Sequence, residues 1–167
     1  MDQTGRLQPS LLERLTDHEP GASREARERR VSSPRALRQS VMRDLAWLLN
    51  AQGIASAQDI ARYPHVAGSV LNFGFSDIAG KSASGIDIAK VERLMHDTIR
   101  AFEPRILPGT LRVQAVRDEA SASHPNALAF IVEGDLHSHP VPERLYLRTE
   151  LDLEAGQVSV SERAGEA

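Results

Sequence analysis

Between Ile86 and Phe102 the apolar residues of this chain recur every three or four positions, and from Leu111 onward they recur every two. Pro104 stands at the change of period. Ile88, Val91, Leu94, Met95, Ile99 and Phe102 form one stripe of a helix, whereas Leu111, Val113 and Ala115 alternate with polar neighbours as a strand does. A proline lacks the N–H that a helix needs and pushes the residue before it out of the α region, so the helix must stop at this point. The alternation returns in Ala127–Leu136 and again in Arg144–Leu153, where Leu145, Leu147, Thr149 and Leu151 share a face. Glu154-Ala155-Gly156-Gln157 then reads as a turn into Val158-Ser159-Val160. Helices first and strands last predict an α+β domain: N-terminal helices followed by a small antiparallel sheet of three to four strands.

Upstream of the change, Ser33-Pro34 is a cap followed by proline at the first helical position. It opens a helix carrying Leu37, Val41, Leu45, Leu48 and Leu49, with Trp47 nearby as a large anchor, and Asn50 to Gly53 closes it. A further helical turn is expected over Ala57–Tyr63, before Pro64. Val70–Phe75 reads as an apolar loop broken by glycine. Nearer the N-terminus, Leu11, Leu12 and Leu15 lie on one face of a short helix, with Ser10 and Glu13 in the capping-box spacing. With 167 residues the chain has room for one good core and not two. The expected organisation is an arm and charged linker over 1–32, one α+β domain over 33–161 and a disordered tail over 162–167. The arm either folds back on the core or docks on a partner.

Glu103-Pro104-Arg105 is the most constrained spot for chemistry. An acid at the C-terminal end of a helix opposes the macrodipole, and such an acid usually has a specific partner. Arg105, a planar fork two residues on, suits a carboxylate. Spacing alone is compatible with a local brace of the helix–strand corner or with a contact point for another molecule.

Most other chemistries find little support. With no cysteine there is no disulfide, thiolate metal site or thiol nucleophile. His137-Ser138-His139 has a metal-ligand spacing, but Pro140 and Pro142 end the strand there and no third ligand stands nearby. Gly80-Lys81-Ser82 resembles the end of a phosphate loop without its upstream glycine. No nucleophile-elbow pattern occurs. A glycosidase needs an acid kept protonated in an apolar pocket, and an arginine beside Glu103 favours the ionised form instead. The formal net charge of −3 gives no global case for nucleic acid, although arginines crowd Arg24–Arg43. No signal peptide and no membrane-spanning run is visible, so a cytoplasmic location is expected, without metal or cofactor.

Four segments occur in a telling order: Pro9-Ser10-Leu11-Leu12-Glu13-Arg14-Leu15, Arg43-Asp44-Leu45-Ala46-Trp47-Leu48-Leu49-Asn50, Ser69-Val70-Leu71-Asn72-Phe73-Gly74-Phe75 and Glu103-Pro104-Arg105-Ile106. Together they resemble the TssE family, the small baseplate-wedge proteins of bacterial type VI secretion systems. That family is in turn similar to the lysozyme-like wedge protein of contractile phage baseplates. The resemblance covers roughly residues 9 to 161 and implies a structural role, with the lysozyme-like label carrying no glycosidase mechanism across. A peptidoglycan-cleaving glycosidase is the alternative. The implied partners are the wedge subunits TssF and TssG, with TssK, the spike hub and sheath subunits as further neighbours. Carried over, the family's hallmark contact motif falls on Glu103, Pro104 and Arg105. Leu11, Leu12 and Leu15 form a second candidate contact and the C-terminal hairpin, Arg144–Val160, a third.

Overall fold

A computed structural model describes residues 10–16, 21, 33–56, 59–75, 85–116, 126–138 and 141–162. Helices come first: α1 (Leu11–Leu15), α2 (Pro34–Asn50) and α3 (Ile88–Phe102), with single 3₁₀ turns at Ile54–Ser56 and Val70–Asn72 between the last two. Four strands follow, β1 (Arg112–Ala115), β2 (Ala127–Leu136), β3 (Glu143–Asp152) and β4 (Val158–Glu162), forming an antiparallel sheet in the order β1-β2-β3-β4. The domain is α+β with its helices N-terminal to a four-stranded sheet, as the change of period predicts.

Each element begins where its sequence says it should, or close to it. Ser33 caps α2, its hydroxyl accepting the Ala36 N–H with Pro34 in the first turn. Asp87 caps α3 by accepting the Lys90 N–H, which starts the helix two residues later than the apolar pattern suggests. The β3–β4 turn closes with Gly156 at φ 66 and with the Asp152 carboxylate accepting the Glu154 and Ala155 N–H groups.

α2 lies against β3 and β4, and α3 lies against β1. Leu37, Val41, Leu45, Leu48 and Leu49 of α2 and Val91, Met95 and Ile99 of α3 meet Phe130, Val132, Leu136, Leu145, Leu147 and Leu151 of the sheet, all buried. Every second residue of β3 is buried, the period of a strand covered on one face. Truncating one of these core leucines would cost about 2–5 kcal/mol.

Two expectations are corrected. Trp47 is not a core anchor; it is 54% exposed, because it falls beside the α2 stripe that turns inward. No helix covers 57–63 among the described residues: the helical turn comes earlier, at Ile54–Ser56, and a plain turn holds Ala61 and Arg62. The Val70–Phe75 loop is better ordered than its glycine suggests. The Asn72 carboxamide accepts the Ala55 N–H and donates to the Ala67 carbonyl. Gly74 at φ 140 approaches Ala51 so closely that a Cβ there would sit 2.5 Å from the Ala51 oxygen. Most of the arm and linker, residues 163–167 of the expected tail, Gly80-Lys81-Ser82 and His139 lie outside the described residues. Among those described, no helix is long and apolar enough to cross a membrane.

Candidate functional site

α3 ends where the Glu103 N–H makes its last helical bond, to the Ile99 carbonyl at 2.8 Å. Pro104 turns the chain, and the following residues join the sheet at once. The His137 N–H donates to the Arg105 carbonyl at 2.7 Å, the Leu107 N–H donates to the Asp135 carbonyl at 2.9 Å, and Ile106 bridges Leu136. The corner is thus fastened on one side to α3 and on the other to the end of β2. Gly134 makes room for it, since a Cβ there would lie 2.8 Å from the Ile106 side chain.

Glu103 is 4% exposed, and Arg105 satisfies it completely. Glu103 Oε1 accepts from the Arg105 backbone N–H at 3.1 Å and from Nε at 2.7 Å, while Oε2 accepts from Nη2. The fork also reaches α2. Nη2 donates to Asp44 Oδ2 at 2.7 Å and Nη1 to Ser40 Oγ at 3.2 Å. Asp44 in turn accepts two bonds of 3.0 Å from Arg43, whose guanidinium stands 5.3 Å from the centre of the Trp47 ring. Burial by itself would lower the pKa of Arg105. Hydrogen bonds and charges from Glu103 and then Asp44 outweigh that and hold it above its already high ordinary value, so the guanidinium is permanently charged.

Two carboxylates and two guanidinium groups therefore cancel within one connected network tying α2, α3 and the sheet. Beside it lies a groove of about 440 Å³ lined by Trp47, Leu48, Phe73, Phe102 and Pro104, with Ser10, Asp44, Glu103 and Arg105 at its polar side. Phe73 meets Phe102 edge-to-face at 5.6 Å. Pro104 and Trp47 are exposed, so the motif shows other molecules its proline and its aromatic surroundings while its acid stays underneath.

Ser10 brings the start of α1 to the groove. The capping box forms as its spacing predicts, Ser10 accepting from the Glu13 N–H and Glu13 accepting from the Ser10 N–H. Leu11, Leu12 and Leu15 are exposed by 69%, 41% and 74% and turn away from the core. The structure therefore unites Glu103, Pro104 and Arg105 with the arm's cap, and leaves the arm's leucines outward. Sequence reasoning missed Ser40 and Asp44 as Arg105 partners and Phe73 as a groove wall. The one available signal was the i,i+4 spacing of Ser40 and Asp44, which stacks two polar groups on one side of α2.

Both carboxylates of this arrangement are bonded to the same cation, Arg105. Among the described residues no cluster of three or more His, Asp or Glu is placed to hold a metal ion. His137 is exposed beyond the end of β2. A charge-neutral corner that ties two helices to the sheet has the build of a structural component. The family comparison gives the same class and names it: residues 35–141 match the model described as baseplate wedge protein gp25, and the chain belongs to that family. No match was found among curated proteins or solved structures.

Proposed function

We propose that this chain is the wedge subunit of a type VI secretion baseplate, the TssE-type component, acting with TssF and TssG and adjoining TssK and the spike hub. It works in the cytoplasm, at a baseplate docked on the inner membrane, where it helps build the wedge and starts sheath polymerisation around the inner tube. The domain over 33–161 carries the wedge contacts and the arm over 1–32 adds a tethered one. It catalyses nothing. A glycosidase would need a protonated acid, and the carboxylates of this corner are both paired with Arg105.

One observation carries the reading. Pro104 is exposed on a corner locked from below by Glu103, Arg105, Ser40 and Asp44, so docking there immobilises little that was free. In this reading the three motif residues divide the work: Pro104 and the outer edge of Arg105 touch the partner, and Glu103 fixes Arg105. Leu11, Leu12 and Leu15 supply a helix-in-groove contact. The β4 edge of the C-terminal hairpin offers backbone to an added sheath strand.

Co-purification of the wedge from producing cells tests this. Pro104→Ala and Trp47→Ala, both at exposed positions, are expected to leave the domain folded and to lose TssF and TssG. Full recovery of both subunits with both variants would sink the proposal. Muramidase activity abolished by Glu103→Gln would replace it with the glycosidase.

A further inference from the structure

Two residues of α2 hold the two ends of β4, and the two holds are unlike. At the first residue of the strand, the Asn50 carboxamide accepts the Val158 N–H at 2.9 Å and donates to the Val158 carbonyl at 2.7 Å. These are the bonds that a neighbouring antiparallel strand would make to that residue. The same amide group donates to the Ala46 carbonyl at 2.7 Å, one turn back in α2, so both of its protons are engaged. Turned over, the carboxamide would set its own N–H against that of Val158, so one orientation alone satisfies all three contacts. Val158 is 5% exposed, which keeps water from competing for these bonds.

At the last residue the hold from α2 is charge. Arg38 Nη1 stands 2.9 Å from Glu143 and Nε 3.6 Å from Glu162, and Nε has no hydrogen-bond partner among the described residues. The Glu162 side chain is 54% exposed, and an ion pair so open to water contributes little. Between the ends, Val158 pairs with Leu151, Val160 with Thr149 and Glu162 with Leu147, so Ser159 and Ser161 bond inward to β3. The Ser161 hydroxyl adds an exposed bond of 3.3 Å to the Arg148 carbonyl. Val160 and Glu162 turn their backbone groups outward, where among the described residues nothing pairs with them.

We infer that β4 is a hinged strand: Asn50 pins it to α2 at Val158, and it opens and recloses from the Glu162 end. Opening from that end breaks exposed bonds one after another. Val158 stays in place, because its release would strip a buried residue of both its backbone bonds. The hinge belongs to the chain alone and needs no partner.

Amide hydrogen exchange of the full chain, each rate taken relative to that residue's intrinsic rate, tests this. Ser159 and Ser161 both bond to β3, so a strand that opened as one piece would protect them equally. The hinge should protect Ser159 about tenfold or more over Ser161, the worth of roughly one further hydrogen bond. Val158, although its N–H points away from β3, should be protected like Ser159, and Val160 and Glu162 should exchange fast. The β3–β4 turn closes the same end of the strand, and substitutions separate its contribution from that of Asn50. Asn50→Ala should speed Val158 and Ser159 by about tenfold and leave Ser161 where it was, since the opening that exposes Ser161 never broke the Asn50 bonds. Asn50→Asp, which keeps the acceptor for the Val158 N–H and loses both donors, should fall between the parent and the alanine variant, and it carries the test where the alanine variant does not fold. Equal protection of Ser159 and Ser161 in the parent overturns the hinge, and so does an Asn50→Ala variant in which both speed alike. Val158 exchanging as fast as Val160 in the parent overturns the pin. A gradient that survives both substitutions unchanged assigns the fixed end to the turn and overturns Asn50 as the pin.

Discussion

At the corner a carboxylate is 4% exposed, and on the arm three leucines are 41–74% exposed. The first arrangement costs desolvation and the second leaves apolar surface in water, so each runs against the ordinary sorting of residues. They differ in how the cost is met. Glu103 is met inside the molecule, by three bonds from Arg105, which is itself tied to Asp44 of α2. The leucines stay exposed among the described residues. The corner's contribution should therefore register as stability, whereas the arm's, if it docks as proposed above, should register only when a partner is present. Both regions sit at one groove, joined there by Ser10.

The largest effect should come from breaking the corner. Arg105→Ala leaves Glu103 buried without a partner, and removing one member of a buried pair costs about 3–5 kcal/mol. Because the Arg105 side chain is 26% exposed, the lower end is expected. Roughly 3 kcal/mol in a chain of this size lowers Tm by about 10 °C, readable by differential scanning calorimetry. Replacing both partners, Glu103→Leu with Arg105→Leu, should recover much of that loss, since two apolar groups need no pairing. An Arg105→Ala variant as stable as the parent would erase the contrast between the two regions.

Next comes Gly74→Ala, which tests whether the groove wall is as rigid as the corner. A methyl group at φ 140 with the Ala51 oxygen and Gly53 nitrogen 2.5 Å away must displace backbone, not a side-chain tip. A loss of about 2–3 kcal/mol is expected in urea unfolding. The same variant should move Phe73 away from Phe102, seen as a shift of the ring protons at 5.6 Å contact. Unchanged stability would mean that the loop holding Phe73 yields easily and that the groove is shaped by its occupant.

The parts that could be read from sequence were local. The change of period at Pro104, the capping box at Ser10 and the Glu103–Arg105 pair each depend on residues within four positions of one another, where geometry follows from the backbone alone. Ser40 and Asp44 lie 65 and 61 residues from Arg105, and their arrival there depends on how α2 crosses the end of α3. Trp47 misled for a related reason: a large apolar residue next to a helical stripe counts as core by composition, but the stripe at 37, 41, 45 and 48 leaves position 47 on its flank. Asn50 closes a helix in any sequence reading. That it also closes a sheet edge 108 residues on is a fact of tertiary packing.

The smallest expected effect on stability is the one that bears most directly on the arm. Leu11, Leu12 and Leu15 changed together to serine remove apolar surface that is already largely in water, so unfolding should shift by less than about 0.5 kcal/mol. If the arm is a docking helix, the same triple variant should abolish co-purification of the wedge, because burying three leucines at a partner's surface is worth several kcal/mol of association. Stability and assembly would then separate cleanly: the corner variant loses stability, and the arm variant loses its partners alone. A clear fall in Tm with the serine variant would show that the arm belongs to the core after all. Wedge recovery at the parent's level would show that the exposed leucines have no docking role, leaving the groove at Pro104 as the contact to be tested.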